Sequence, residues 1–349
     1  MTGLASERER RRAAFFPKAD LRAPTPFALA PLEQKRALLE PHRPAVQVIA
    51  GPARVHPRQG TFHALWEIDG AAGKSAILRT SIPGDPETDY TLLLDAWASR
   101  EMQRRGLPAV EIHATDLSRS AAPFDFQLAA RAPGSPLSRY DDNEPAIQAL
   151  LEAVGAALAE LHAIPANGYG LLDPADPARG CAASWPDYLY TRLEEHIAAC
   201  RDIAAIDSTE SDRIARLFLD SRPLFENLPV HLLHGDPGSH NIFTDGRRIT
   251  AFLDWEDALA GDPVFDLASC ATFHPERRWS ALLQGYRRVH DPGPGFERRF
   301  WLYFLRLALA KTVHRHRFGY RDLPGRQPAA RRIQVSLNRL TRPEASCAF

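Results

Sequence analysis

The 349-residue sequence lacks the features that mark several common classes of protein. Its four cysteines show no CxxC or CxxH spacing, so a disulfide scaffold is not expected and the thiols should be reduced and packed. The longest apolar run near the C-terminus, residues 301–310, contains Arg306 and is far shorter than the roughly 20 residues of a membrane-spanning helix. No apolar segment follows the arginines near the N-terminus, so no export signal is predicted. These absences predict a soluble, cytoplasmic protein with no membrane partner.

The sequence also lacks net charge, because 43 basic residues balance 43 acidic ones. This balance disfavours nucleic acid as a partner, since nucleic-acid-binding domains are usually basic. The charge is unevenly distributed, with a net +4 over residues 1–43, +9 over residues 296–349 and −13 between them. An acidic centre favours a cationic partner or bound Mg²⁺, although a solvated acidic surface with basic flanks would have the same composition.

The first part of the chain divides into two regions. Residues 1–43 are charged and interrupted by proline, and we expect an N-terminal extension with one short helix, Leu32–Leu39. Residues 44–130 contain short β-type runs separated by glycine and proline, which predict a small N-lobe built on an antiparallel meander. The elements predicted in this lobe are strands Val46–Ala50, Phe62–Ile68, Lys74–Ile82 and Phe124–Ala130, and a helix, Tyr90–Arg105, that ends before Gly106.

Residues 131–349 form a predicted larger, helical C-lobe. Its first helix is capped by Asn143, has Pro145 in its first turn and carries an apolar stripe at helical spacing. The one strand signal expected here is a hairpin between Leu232 and Leu253. Further helices are predicted at Trp185–Cys200, Ser211–Phe225, Trp279–Val289 and Phe296–Phe318. The whole pattern predicts an α+β fold with a β-rich lobe followed by a helical one.

The hairpin is expected to bring three oxygen-bearing side chains together. Apolar runs flank Asp245-Gly246, a strong turn signal. Folding about this turn places Asn241 beside Asp254 at the open end, with Asp236 on a glycine-containing loop just before the first strand. Mg²⁺ is bound by oxygen atoms, so Asn241 and Asp254 are candidate metal ligands. Asp236 is the candidate catalytic base, which would orient an acceptor hydroxyl and take its proton.

Three motifs follow one another between residues 234 and 268. They are His234-Gly235-Asp236 with Asn241, Asp254-Trp255-Glu256, and Gly261-Asp262-Pro263 with Asp266-Leu267-Ala268. Together they resemble the aminoglycoside phosphotransferase family, with weaker matches over about residues 45–290. The resemblance implies a protein-kinase-like fold of two lobes. It also implies that His234 braces the catalytic loop, that Asp266 binds the loop's backbone, and that Asp262 either does the same or begins a turn.

For the N-lobe, the resemblance implies a cation on the third strand that faces the nucleotide phosphates. Alternation along this strand makes Arg79 the candidate. Its carboxylate partner on the following helix is either Asp95, which the spacing back from Gly106 favours, or Glu101, which is the more familiar residue type.

Two further nucleotide contacts are expected. The predicted phosphate-covering loop, residues 56–61, contains Gly60 as its one glycine. Between the lobes, backbone groups of Ala130 and Ala132 are expected to meet the edge of the adenine or guanine base.

The implied activity is Mg²⁺-dependent transfer of the γ-phosphoryl group of ATP, or GTP, to a hydroxyl of a small molecule. An aminoglycoside or aminocyclitol antibiotic such as hygromycin B is the expected acceptor, with Glu256 and Asp257 as its contacts. The basic C-terminal segment would oppose a cationic acceptor if it lined the cleft. Kinases of choline, homoserine, sugars and macrolides share this fold, and a non-catalytic nucleotide-binding module is the other alternative. The expected assembly is a monomer or homodimer.

Overall fold

The computed structural model describes residues 2–15, 20, 23–69, 75–140, 145–320 and 328–341. Lys74, the predicted cap Asn143 and Cys347 lie outside these residues. The other three cysteines are buried free thiols, as expected.

The N-terminal region is helical. Its helices are α1 (Thr2–Arg12), α2 (Pro26–Leu29), α3 (Leu32–Leu39) and α4 (Arg43–Ala50). The bounds of α3 are those predicted, whereas the strand predicted at Val46–Ala50 is wrong, because this segment lies in α4. The valine and isoleucine content suggested a strand, but Pro44 in the first turn and Gly51, which has a positive φ of 81° after the last residue, are helix start and stop signals. The domain boundaries at residues 43 and 130 stay a prediction.

The N-lobe is built on a five-stranded antiparallel sheet with the order β1-β2-β3-β5-β4. Its elements are β1 (Ala53–Val55), β2 (His63–Asp69), β3 (Ser75–Ser81), α5 (Thr91–Arg104), β4 (Ile112–Asp116) and β5 (Phe126–Ala130). The central strand β3 pairs Arg79 with Leu65 on one side and with Gln127 on the other. A core that includes Trp66 and Leu78 lies beneath the sheet. Arg79 therefore lies on a strand that is paired with a neighbouring strand on each side.

The C-lobe contains most of the helices. They are α6 (Pro145–Leu161), α7 (Trp185–Tyr190), α8 (Leu193–Asp202), α9 (Ser208–Ser221), α10 (Val264–Ala271), α11 (Trp279–Arg287), α12 (Phe296–Arg317) and α13 (Ala329–Leu340). The single helix predicted over residues 185–200 is divided at Arg192, whose φ of 56° interrupts it. Helices α6 and α11 pack in close backbone contact, because a Cβ at Gly155 would lie 2.0 Å from the carbonyl oxygen of Leu282.

The C-lobe has more strand than predicted. Beside the predicted hairpin of β10 (Ile242–Thr244) and β11 (Ile249–Phe252) lie β6 (Ser135–Pro136), β7 (Tyr169–Asp173), β8 (Asp176–Ala182), β9 (His231–Leu233) and β12 (Leu259–Gly261). They form sheets of order β11-β10-β6 and β8-β7-β12-β9. The expectation of a single hairpin was wrong, because most of the added strands are short and pair with strands distant in the chain.

Among the described residues, no helix combines the length and the apolar composition that crossing a membrane requires. The longest, α12, carries Arg306 and Lys311 within its buried length.

Asp20 attaches the N-terminal region to α8. Its carboxylate lies 3.2 Å from Nε2 of His196 and 3.1 Å from Nη1 of Arg192, and it accepts a hydrogen bond from the amide of Phe15. Burial acts to raise the pKa of Asp20, but the hydrogen bond with His196 and the other partners outweigh it and lower the pKa from 3.8 to about 2.

Because the folded state lowers this pKa, the stabilisation by Asp20 is complete above pH 4 and is lost as the pH falls from 4 toward 2. We expect Asp20→Asn to lower the free energy of unfolding at pH 7 by roughly 2 kcal/mol. The difference from wild type should shrink below pH 4 in urea unfolding followed by circular dichroism. Asp202→Asn, on an exposed side chain of α8, is the control. A constant difference between pH 7 and pH 3 would contradict the assignment.

Candidate active site

The loop that follows β9 carries the predicted catalytic base. Gly235 has a φ of 86°, and a Cβ there would lie 2.0 Å from the carbonyl oxygen of Asp257, so only glycine fits. The buried carboxylate of Asp266 accepts hydrogen bonds from the backbone amides of His234 (2.7 Å) and Gly235 (2.9 Å). The first two residues of the loop between β9 and β10 are therefore held by an aspartate in the first turn of α10.

His234 packs inside this loop. Its ring lies 4.4 Å from the Trp255 ring, and its Nε2 is 3.1 Å from the carbonyl oxygen of Leu253, to which it donates. Burial lowers the pKa of His234 below its usual value, so the ring is neutral near pH 7. It connects the loop to the strand that leads to Asp254.

The sequence left two roles open for Asp262, binding the backbone of the catalytic loop or beginning a turn. None of the hydrogen bonds described for its carboxylate involves that loop. Its Oδ1 accepts from the amide of Val264 at the start of α10, while its Oδ2 accepts from Nε of Arg299 and the hydroxyl of Tyr303, each at 2.8 Å. Asp262 begins the helix and ties it to α12.

Asp236 forms an ion pair that sequence reasoning missed. The ammonium group of Lys311 donates to Oδ1 of Asp236 and to the hydroxyl of Thr272, both at 3.1 Å, and it lies 4.1 Å from the centre of the Phe273 ring. Burial acts to raise the pKa of Asp236, but the attraction of Lys311 and His240 outweighs it and holds the pKa below its usual value. Asp236 is thus an ionised carboxylate with a fixed orientation, as a general base requires.

The signal for Lys311 was weak but present. Only four of the 43 basic residues are lysines, and this one lies in an otherwise apolar run of α12.

We expect Lys311→Met to lower kcat by about 10- to 100-fold, because Asp236 would lose its fixed orientation, with little change in the KM for nucleotide. Steady-state kinetics would measure both, with Lys311→Arg retaining part of the activity. Arg317→Met, on the exposed end of the same helix, is the control, and an unchanged kcat in Lys311→Met would contradict the role.

The hairpin joins Asn241 and Asp254 as predicted from its turn. Ile242 pairs with Phe252, and the amide of Leu253 donates to the carbonyl of Asn241 at 2.8 Å, which brings the two ends of the hairpin into contact. The side-chain amide of Asn241 donates to the backbone carbonyl of Asp236 at 3.1 Å. The oxygen of this amide and the partly exposed carboxylate of Asp254 are the groups of the hairpin suited to a cation.

The donor set fits Mg²⁺ in the form used by nucleotide enzymes. Among the described residues, no cluster of three or more histidine, cysteine or acidic side chains forms a complete metal cage. Mg²⁺ bound with a nucleotide usually takes one or two protein carboxylates and completes its shell with phosphate oxygens and water. One carboxylate and one amide oxygen at the hairpin match that requirement.

Arg79 faces this hairpin from the N-lobe sheet. Its guanidinium lies 3.3 Å from Asp254, 3.8 Å from Asp95 and in contact with Glu256. Glu101, the other candidate partner, instead binds Arg104 and Arg105 of its own helix, each at 2.9 Å. The structure therefore places Asp95, not Glu101, beside Arg79.

The two acids expected to contact the acceptor do not face an open cleft. Glu256 is 3% exposed, and its carboxylate pairs with Arg79 and lies 3.1 Å from Nδ1 of His63. Asp257 is 5% exposed and lies in the electrostatic field of Arg11 and Lys311. The short 3₁₀ turn Trp255–Asp257 turns both side chains inward, and the acceptor contacts expected of them stay a prediction.

The remaining nucleotide candidates lie around the N-lobe sheet. The carbonyl of Gly60 accepts from Nζ of Lys35 at 3.1 Å, which holds the loop between β1 and β2. The amide of Ala130 donates to the carbonyl of Glu111 at 2.8 Å, so this N–H is used within the sheet. Contact with a base would therefore involve the carbonyl of Ala130 or the backbone of Ala132.

With this geometry in view, comparison with known proteins identifies the class. A model of the phosphotransferase enzyme family matches residues 56–300, and the chain belongs to this family. This confirms the resemblance drawn from the motifs and the class of enzyme that it implies. Hygromycin-B 4-O-kinase of Escherichia coli is 27% identical over 223 residues, which are 62% of this chain and 62% of that relative. The alignment thus spans less than two thirds of the relative's length.

Several solved structures of low sequence identity share the fold of this chain. The apo form of a thermostable mutant of aminoglycoside phosphotransferase APH(4)-Ia has a TM-score of 0.61 at 21% identity, covering 85% of this chain and 98% of that one. A ternary complex of this enzyme with ADP and hygromycin B has a TM-score of 0.61 at 20% identity and covers 85% and 97%. A macrolide 2′-phosphotransferase from Brachybacterium faecium has a TM-score of 0.55 at 16% identity and covers 90% and 98%. The similarity confirms the predicted two-lobe, kinase-like fold.

Proposed function

We propose that the protein transfers the γ-phosphoryl group of ATP, or GTP, to a hydroxyl of a small molecule. The observation that carries the proposal is the convergence of Asp236, Asn241 and Asp254 at one hairpin, opposite Arg79 on the N-lobe sheet. The use of a nucleotide is further supported by the ADP that is bound in the ternary complex of the structural relative.

Each residue has a distinct part in this reaction. Asp236 orients the acceptor hydroxyl and takes its proton as the new bond to phosphorus forms. Arg79, held by Asp95, contacts the phosphates of the nucleotide. Asn241 and Asp254 hold Mg²⁺, which neutralises charge on the phosphate oxygens when bound.

Other residues support these groups. The backbone at Gly60 covers the phosphates, and that at Ala130 and Ala132 contacts the base. His234 and Asp266 keep the catalytic loop in place.

The acceptor that we propose is an aminoglycoside or aminocyclitol such as hygromycin B, because the curated relative is a kinase of that antibiotic. One observation favours a second class. Lys311, from the basic C-terminal segment, lies directly beside Asp236, and a cation at this position disfavours a polycationic acceptor. Neutral or singly charged acceptors, such as a macrolide or a sugar amine, are therefore the second candidate. We place the reaction in the cytoplasm, with the protein as a monomer or homodimer.

The test is phosphoryl transfer by the purified protein. ATP or GTP with Mg²⁺ would be incubated with hygromycin B, other aminoglycosides, a macrolide, choline and homoserine. We expect acceptor-stimulated release of ADP or GDP, with mass spectrometry showing one added phosphoryl group on the acceptor. Nucleotide binding without transfer to any acceptor would contradict the proposal and favour a non-catalytic nucleotide-binding module.

A further inference from the structure

Helix α1 lies outside the part of the chain that the family model matches, which begins at residue 56. It nevertheless contacts both lobes. Arg10 forms an ion pair with Glu87 of the N-lobe at 2.9 Å, and Arg8 forms one with Asp173 of the C-lobe at 3.2 Å. The helix therefore crosses between the lobes near the site.

Arg11 extends from this helix into the interior and is 1% exposed. Its Nε donates to the carbonyl of Leu172 in β7 at 2.7 Å, and its Nη2 donates to the carbonyl of Glu256 at 3.0 Å. The two carbonyls belong to segments far apart in the chain, so one guanidinium joins α1, β7 and the turn that follows Asp254.

The residue before that turn has an unfavourable backbone conformation. Asp254 has φ 69° and ψ 60°, the left-handed region that residues other than glycine rarely adopt. Such a conformation persists only where neighbouring groups fix it. The amide of Trp255 donates to Oδ1 of Asp95 at 3.0 Å, and the carbonyl of Glu256 accepts from Arg11. The residues directly after the candidate metal ligand are thus held from two sides, by α5 and by α1.

Simple docking of α1 does not require an arginine at this position. Burying a guanidinium costs desolvation energy, and an apolar side chain of similar size would pack a helix at lower cost. The forked donor of arginine instead matches two carbonyl groups with a fixed separation.

We propose that Arg11 is a positioning residue of the active site, which fixes the turn after Asp254 and so sets the affinity for the magnesium–nucleotide complex. This inference rests on the function proposed above. The N-terminal helix then supports the active site, although it lies outside the matched family region.

The test compares Arg11→Met with Arg12→Met, which changes the next, exposed arginine of the same helix. We expect the Kd for Mg²⁺, measured by calorimetry in the presence of a non-hydrolysable ATP analogue, to rise by about 10-fold or more in Arg11→Met, a loss typical of residues that orient metal ligands. The Kd for the analogue without Mg²⁺ should change by less than about twofold. Backbone amides of residues 252–258 should exchange faster with deuterium in Arg11→Met only. Arg11→Ala should recover Mg²⁺ affinity when guanidinium ion is added at millimolar concentration, which a general loss of packing would not allow.

Three outcomes separate the possibilities. If Arg11→Met is folded, exchanges like wild type over residues 252–258 and binds Mg²⁺ equally well, the inference is overturned. If Arg11→Met does not fold, the double variant Arg8→Ala/Arg10→Ala is tested in its place. This variant keeps Arg11 but removes the two ion pairs that attach α1 to the lobes. It should raise the Kd for Mg²⁺ by a smaller factor, and an unchanged Kd and exchange rate there would overturn the inference. If wild type binds no magnesium–nucleotide at all, the proposed function fails, and the exchange of the turn still tests the contact made by Arg11.

Discussion

Replacing Asp236 with asparagine should lower kcat for phosphoryl transfer by roughly 10³-fold while leaving the Kd for nucleotide within about twofold of wild type. The carboxylate is the group placed to take the acceptor proton, and asparagine has the same size but no basic oxygen. The Lys311 ammonium would keep one hydrogen-bond acceptor in the amide oxygen, so the fold around the loop should persist. Single-turnover kinetics with saturating ATP would measure the chemical step, and equilibrium fluorescence titration would measure nucleotide binding.

The control for this variant lies in the same hairpin. Asp245 is exposed at the turn, where its carboxylate caps the amides of Arg247 and Arg248. Asparagine can cap such a turn equally well, so Asp245→Asn should keep kcat near the wild-type value. Wild-type activity in Asp236→Asn would show that another group accepts the proton.

The parts of the site that could be predicted are those fixed by local sequence. The Asp245-Gly246 turn sets the pairing of its two strands, so the neighbourhood of Asn241 and Asp254 follows from the hairpin alone. Arg79 could be assigned from the alternation of side chains along one strand. Each of these positions depends on a few adjacent residues, and the structure places them together.

The parts that could not be predicted depend on contacts between distant segments. Lys311 reaches Asp236 from a helix 75 residues further along the chain, and Arg11 reaches Glu256 across 245 residues. No sequence periodicity reports such a pairing. The inward position of Glu256 was not predicted either, because it depends on contacts with Arg79 and His63 of the N-lobe.

The choice between Asp95 and Glu101 illustrates the same limit. Both lie on α5 and both are buried, and the two sequence criteria disagreed, because spacing favoured Asp95 and residue type favoured Glu101. The difference is that Arg104 and Arg105 follow Glu101 at i+3 and i+4 and satisfy its carboxylate locally. Asp95 has its partners on other segments, in Arg79 on β3 of the same lobe and in the amide of Trp255 in the C-lobe.

The second large effect is expected for Asp254→Asn. Loss of one of the two protein ligands should raise the Kd for Mg²⁺ in the nucleotide complex by about 10- to 100-fold and lower kcat by a comparable factor at fixed Mg²⁺. Part of the lost activity should return at high Mg²⁺ concentration, which distinguishes this variant from Asp236→Asn. Titration of activity against Mg²⁺ at saturating nucleotide would measure both quantities.

The binding of nucleotide without metal should not be weakened by Asp254→Asn. The carboxylate of Asp254 lies 3.3 Å from Arg79 and competes with phosphate for this guanidinium. Removing its charge should leave the Kd for metal-free ATP unchanged or lower it, because two anions no longer share one cation. Asparagine is the appropriate substitution, since it tolerates the left-handed backbone of this position, whereas alanine would add conformational strain and a lower melting temperature. If Asp254→Asn weakened metal-free and metal-bound nucleotide equally, Asp254 would be a structural residue of the turn and not a ligand.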